Sequence, residues 1–118
     1  MKNDLKKRTF VFASNILDIV DLLPKKTATN VIAYQIAKSC TSVGANYRAA
    51  KRARSDKEFV SKINIVLEEV DETLYWLEII KEKKWINNIL LSPLIKEADE
   101  LTAIFVSTLK TMNNKLKK

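Results

Sequence analysis

A chain of 118 residues with 47% hydrophobic content is long enough to bury one core and too short for two ordinary domains, so one domain over residues 1–118 is expected. One glycine and two prolines among many Leu, Ile, Ala, Lys and Glu exclude a turn-rich β architecture and predict an all-α fold. No apolar run approaches the roughly 20 residues that cross a bilayer, and the N-terminal stretch lacks a signal-peptide core, so a cytoplasmic protein with no membrane partner is expected.

Leu5, Thr9, Phe12, Ile16, Ile19 or Val20, and Leu23 recur at spacings of three and four, which predicts a first helix from Leu5 to Leu23, stopped by Pro24. Lys25 to Thr29 is a polar connector in which Thr27 or Thr29 can cap the next helix. The second helix, Thr29 to Arg54, presents Ile32, Ile36, Cys40, Val43, Tyr47 and Ala50 to the core. Gly44 lies beside that stripe, where it admits a close neighbouring helix or marks a kink. Ser55 and Glu58 form a capping box that starts a third helix at Asp56, with Phe59, Ile63, Val66, Val70, Leu74 and Leu77 inward and an end near Lys84. Asn87 and Asn88 suit a loop, and Ser92 with Pro93 suits the start of a fourth helix. Its apolar face is Leu94, Ala98, Leu101, Phe105, Leu109, Met112 and Leu116. Four amphipathic helices with short connectors predict an up-down-up-down antiparallel four-helix bundle.

The segment that joins helices two and three carries a distinctive pattern: Gln35 and Ser39, the run TSVGANY from Thr41 to Tyr47, ARS from Ala53 to Ser55, Phe59, and EEVDETLYWLE from Glu68 to Glu78. In order and spacing these pieces resemble the small bacterial family of four-helix-bundle proteins named after reading frames in intervening sequences of 23S rRNA genes. The resemblance implies the same fold and a ring-like homopentamer, and it implies no reaction. One departure is Ala49, where family members commonly carry a glutamate.

Net charge is +7, and its distribution is uneven. Residues 1–60 hold 12 Lys or Arg against 5 acids, and residues 61–118 hold 9 against 9. On helix two Lys38, Thr41, Ala45, Arg48 and Arg52 share a face, with Lys51 alongside and Arg54 and Lys57 around the next turn. Such a row can neutralise successive phosphates, which makes RNA an expected partner; a solvated helix face is the alternative. A basic half-chain alone would also serve solubility. No paired stacking aromatics, zinc knuckle or GXXG loop supports base-specific reading.

A polar row runs beside the helix-two core: Gln35, Ser39, Ser42 and Asn46, with Glu69 and Glu72 of helix three as expected hydrogen-bond partners. It reads as a register-fixing zipper or subunit contact, or else as a ligand site. Ile65, Tyr75, Trp76 and Ile79 point away from the core stripe of helix three, and Val11 and Leu22 do so on helix one. This apolar excess predicts a homo-oligomer interface.

Enzyme readings find little footing. Cys40 has no histidine to activate it, since the chain contains none, and its place on the apolar stripe makes it a buried thiol. The acids Glu68, Glu69, Asp71 and Glu72 lack the Glu-x-x-His pairs of di-metal bundles. No catalytic residue, metal or cofactor is expected. The leading expectation is a non-enzymatic oligomeric protein that binds RNA through the helix-two face. The alternative is an oligomeric scaffold that binds another protein and has no nucleic-acid role, and a small-ligand or metal enzyme comes third.

Overall fold

The computed structural model describes residues 4–117. Four helices account for nearly all of them: α1 (Leu5–Val20), α2 (Thr27–Lys51), α3 (Asp56–Lys83) and α4 (Asn88–Leu116). Each packs against its sequence neighbours, and α1 closes the ring against α4. The 25 residues of α2 and 28 of α3 make rods about 40 Å long, whereas a connector of four to six residues spans at most about 20 Å. Side-by-side helices so joined run antiparallel, which gives the up-down-up-down bundle, 51 × 26 × 21 Å in extent.

The core is one continuous cluster in which Phe12, Ile16, Ile36, Cys40, Val43, Ile63, Val66, Val70, Leu77, Leu101 and Phe105 are almost fully buried. These are the residues whose spacing marked the inward faces. Two further positions of α3, Thr73 and Ile80, are also buried. Tyr47 of α2 reaches across the interior to Phe105 of α4, with ring centroids 5.8 Å apart. The Cys40 thiol is pushed up to about 12 by desolvation, so it stays protonated at neutral pH.

Local chemistry sets the helix ends. Asp4 caps α1 by accepting the Lys7 N–H at 3.1 Å. The first helix stops three residues earlier than its apolar spacing suggests, at Val20, and Leu23 still reaches the core from the turn. The second begins at Thr27 and ends at Lys51. Thr29 occupies its third position, accepts the Lys26 N–H at 3.0 Å and donates to the Pro24 carbonyl. That pair ties the connector to the helix it introduces. Ser55 accepts the Glu58 N–H at 3.1 Å, and the Glu58 carboxylate accepts from the Arg54 N–H at 3.2 Å. The reciprocal bond thus lands one residue before the cap. Lys84 ends α3 in the left-handed conformation at φ 57°.

The largest boundary difference is at α4, which starts at Asn88 and not at Pro93. Asn87 is its cap, accepting the Ile89 N–H at 2.8 Å, so the Asn-Asn pair opens the helix instead of forming a loop. Pro93 is its sixth residue, where the missing N–H costs one hydrogen bond near an end that is already short of internal partners. Burial of Leu91 and Leu94 holds this extra turn against the bundle.

Two contacts place α1. At Gly44 a Cβ would lie 3.1 Å from Thr9 Oγ1 and 3.6 Å from the Thr9 backbone carbonyl carbon, so the glycine admits a close neighbouring helix, one of the two roles open to it. Cys40 Sγ lies 3.9 Å from the Ala13 carbonyl one turn along the same seam. On the other flank, Arg8 makes a two-pronged ion pair with Glu97 and reaches Glu100 at 3.1 Å. The hydrogen bond to Glu97 is the leading cause holding the Arg8 guanidinium above its ordinary pKa. A partly buried forked pair of this kind fixes orientation and contributes about 1 kcal/mol.

The seam gives a test. Gly44→Leu should destabilise the bundle by about 1–3 kcal/mol, because a Cβ there already crowds Thr9 Oγ1 at 3.1 Å and the larger side chain adds to that crowding. Gly44→Ala should stay within about 1 kcal/mol of the parent, since better helix propensity opposes a tight contact with Thr9 Oγ1. Urea unfolding followed by circular dichroism measures both, and equal midpoints for Leu and parent would refute the close-seam account.

Candidate functional site

The outer face of α2 presents one continuous row of side chains along the helix. Val31, Tyr34, Lys38, Thr41, Ala45, Arg48 and Arg52 succeed one another at spacings of three and four, and all seven are exposed. Its N-terminal half is apolar, with Tyr34 and Val31 open to solvent, and its C-terminal half is basic. Lys51, Arg54 and Lys57 continue the positive surface over the α2–α3 turn, each exposed. Of the six cations assigned to this surface, Arg54 pairs with Glu58 at 3.6 Å, with its own side chain 91% exposed. Lys38, Arg48, Lys51, Arg52 and Lys57 have no ion pair among the described residues.

The polar row meets α3 at Ser39. Ser39 is fully buried, and its hydroxyl shares a 2.8 Å hydrogen bond with Thr73 of α3. Each hydroxyl has one proton, so the pair also uses a backbone carbonyl, Glu69 at 2.8 Å from Thr73 or Ile36 at 3.3 Å from Ser39. Ser42 and Asn46 are half-buried and bond back to their own helix, Ser42 to the Lys38 carbonyl and Asn46 to the Ser42 carbonyl, both at 2.8 Å. Gln35 is half-buried as well. Expected partners Glu69 and Glu72 sit elsewhere. Glu72 is exposed and accepts from Trp76 Nε1 at 3.3 Å. Glu69 is half-buried near Lys38, and desolvation, then Glu72 and Glu68, raises its pKa while Lys38 opposes the rise. The cross-helix partner is therefore Thr73, which sequence reasoning missed.

The four residues expected at an oligomer interface are unequal. Tyr75 is 57% exposed and meets Trp76 edge-on at 5.0 Å. Trp76 packs partly on the core, and Ile65 and Ile79 are half-covered. Leu22, which the sequence placed off the core face of helix one, is exposed as well, and it is joined by exposed residues of α4 that the sequence did not single out. Leu22 and Leu90 border a shallow depression of about 280 Å³ beside Pro93, and Ile89 next to it is the most exposed of all at 78%.

A second overlooked feature lies on the α1 side. An apolar groove of about 350 Å³ runs between α1 and α2, walled by Phe10, Ala13, Leu17, Gly44 and Ala45, with Lys6 and Arg48 also in its lining. Phe10 is 62% exposed, and the Arg48 guanidinium carbon lies 5.9 Å from its ring centroid. Its signal in the sequence is an aromatic residue between core positions Thr9 and Phe12, one turn after Lys6 and Lys7. No group of three or more Cys, Asp or Glu side chains converges to hold a metal among the described residues, and no described helix is long and apolar enough to cross a membrane.

The fold and surface define an all-helical, up-and-down four-helix-bundle protein with one basic outer face. The chain belongs to the 23S rRNA-intervening sequence protein family, whose profile matches residues 1–107. Among solved structures, it is similar to a protein of unknown function from the S23 ribosomal protein family of Bacteroides thetaiotaomicron. That similarity has a TM-score of 0.83 at 32% identity and covers 90% of this chain and 98% of the other. No curated protein matches the chain.

The environment of Glu69 has a pH consequence. A carboxyl whose folded pKa is raised binds its proton more tightly in the native than in the unfolded chain, so stability falls as pH rises from the ordinary carboxylate range through the raised value. Above that window the ionised group costs stability. Glu69→Gln should therefore raise the urea midpoint at pH 7, and this advantage should shrink as the pH is lowered through the same window. An advantage that grows toward acid pH would mean that Lys38 outweighs desolvation.

Proposed function

We propose that the protein is a non-enzymatic, cytoplasmic, self-associating bundle that binds RNA by its phosphate backbone through the outer face of α2 and the α2–α3 turn. The observation that carries this reading is the line of exposed cations Lys38, Arg48 and Arg52, joined at the turn by Lys51, Arg54 and Lys57. Side chains so placed release condensed counterions when they meet successive phosphates. The family's association with 23S rRNA genes supports RNA as the polyanion. Helix geometry offers no groove-reading motif, so the binding is to backbone and shape and not to sequence.

Affinity should fall steeply with salt, at a slope of about −0.7 per neutralised phosphate for single strands, and should vary little with base composition. Replacing Lys38, Arg48 and Arg52 together by glutamate should abolish binding in fluorescence anisotropy while leaving helix content unchanged, because all three side chains are exposed. Salt-independent binding, or none by the parent protein at low ionic strength, would rule the reading out.

Self-association is supported by the exposed apolar side chains Leu22, Tyr34, Tyr75 and Ile89 and by the five-membered ring that the family resemblance implies. Multi-angle light scattering at micromolar concentration should give several times the 13.5 kDa of one chain, and five times if the ring forms. A mass of one chain would refute it. The Leu22, Ile89 and Leu90 group also favours a second reading, a scaffold that docks another protein, which takes over if RNA binding fails.

A further inference from the structure

We propose that Phe10 is a stacking platform for an unpaired base, flanked by Lys6, Lys7 and Arg48 as phosphate ligands, so that the RNA engaged on this side is single-stranded. The proposal rests on the phosphate-binding reading above and adds a second element, α1, to the surface. Three observations carry it. Phe10 is 62% exposed although it stands between the buried Thr9 and Phe12, so the ring serves no core. Arg48 lies over it at 5.9 Å, near the outer limit of a cation–π contact, and Lys6 and Lys7 join Phe10 and Arg48 in lining a second depression, also of about 280 Å³, distinct from the one beside Pro93. The acid there, Asp4, is engaged as the α1 cap. On the other side of Phe10, the α1–α2 groove has small walls at Ala13, Gly44 and Ala45, which leave an apolar slot open to a flat group.

An aromatic face beside several cations is the arrangement by which single strands are held without sequence preference, the base stacking on the ring and its phosphates meeting the charges. A duplex keeps its bases in the helical stack, so it offers this site phosphates alone. The site thus discriminates strandedness, which the α2 cations by themselves do not.

The test compares a mixed-sequence single-stranded RNA 12-mer with a duplex RNA by anisotropy at one fixed low salt concentration. Phe10→Ala and Phe10→Leu should each weaken single-strand binding roughly 5- to 100-fold, the loss of one base–aromatic stack, and leave duplex binding unchanged. Phe10→Trp should retain both. Lys6→Glu with Lys7→Glu should weaken both substrates. Circular dichroism should find helix content equal throughout, and the leucine variant keeps an apolar side chain at the position. If Phe10→Ala binds single strands like the parent while the lysine reversals weaken them, stacking is wrong and phosphate binding stands. If the parent binds neither RNA, both readings fall. Equal losses on both substrates, or a drop in light-scattering mass on Phe10→Ala, would overturn the platform, the latter because a second copy of the chain covers the ring.

Discussion

The close seam between α1 and α2 is the constraint on which the rest of the surface depends. Thr9 and Ala13 from one helix meet Gly44 and Cys40 from the other, and none of the four carries bulk toward its partner. Backbones brought this near bury Phe12, Ile16, Ile36 and Val43 beneath them. Dense packing of those side chains leaves little freedom to slide or rotate. The same small residues leave a shallow slot on the outer side, so one sequence choice sets both the packing inside and the groove outside. Phe10 and Leu17 become walls because Ala13, Gly44 and Ala45 do not fill the space between them.

The second organising element is the Ser39–Thr73 pair between α2 and α3. Two buried hydroxyls satisfied by each other and by backbone carbonyls cost little as they stand. Shifting one helix along the other would lose the bond between them, about 0.5–1.5 kcal/mol, while each hydroxyl keeps a carbonyl of its own helix, Ile36 for Ser39 and Glu69 for Thr73. The pair is therefore a modest polar preference for one register in an otherwise apolar interface. Ser42 and Asn46, satisfied within their own helix, impose no such condition. They leave that edge of α2 able to meet solvent or another surface without a lost hydrogen bond.

What was legible in the sequence was whatever depends on one helix at a time. Period and volume marked Phe12, Ile36, Ile63 and Phe105 as core, Ser55 as a cap, and Gly44 as a place where a close approach could occur. Facts that depend on the relative height and rotation of two helices were not legible. Thr73 could be matched to Ser39 only once α2 and α3 were aligned, and Phe10 to Arg48 only once α1 lay across the C-terminal half of α2. Trp76 was legible in part: its place off the α3 core stripe follows from the helical angle, whereas the contact its ring makes with the core does not. At α4 the Asn-Asn pair reads as a loop and Ser92 with Pro93 as the start; the helix begins a turn earlier because Asn87 caps it and Leu91 is buried, which depends on how α4 packs against the bundle.

The lengths of the helices carry one more consequence. With 16 residues α1 is little more than half as long as α4, with 29, and it joins α4 over a narrow strip braced by Arg8, Glu97 and Glu100. It is therefore the helix of the bundle with the least to lose on opening. Local opening in such a molecule begins at the element with the smallest buried contact and precedes global unfolding. Hydrogen exchange along α1 would thus run ahead of exchange along α3, with the Arg8 fork and the buried Phe12 and Ile16 opposing it. Whatever binds the α1–α2 groove and bridges both helices would slow that exchange, which makes α1 amides a reporter of occupancy at the groove.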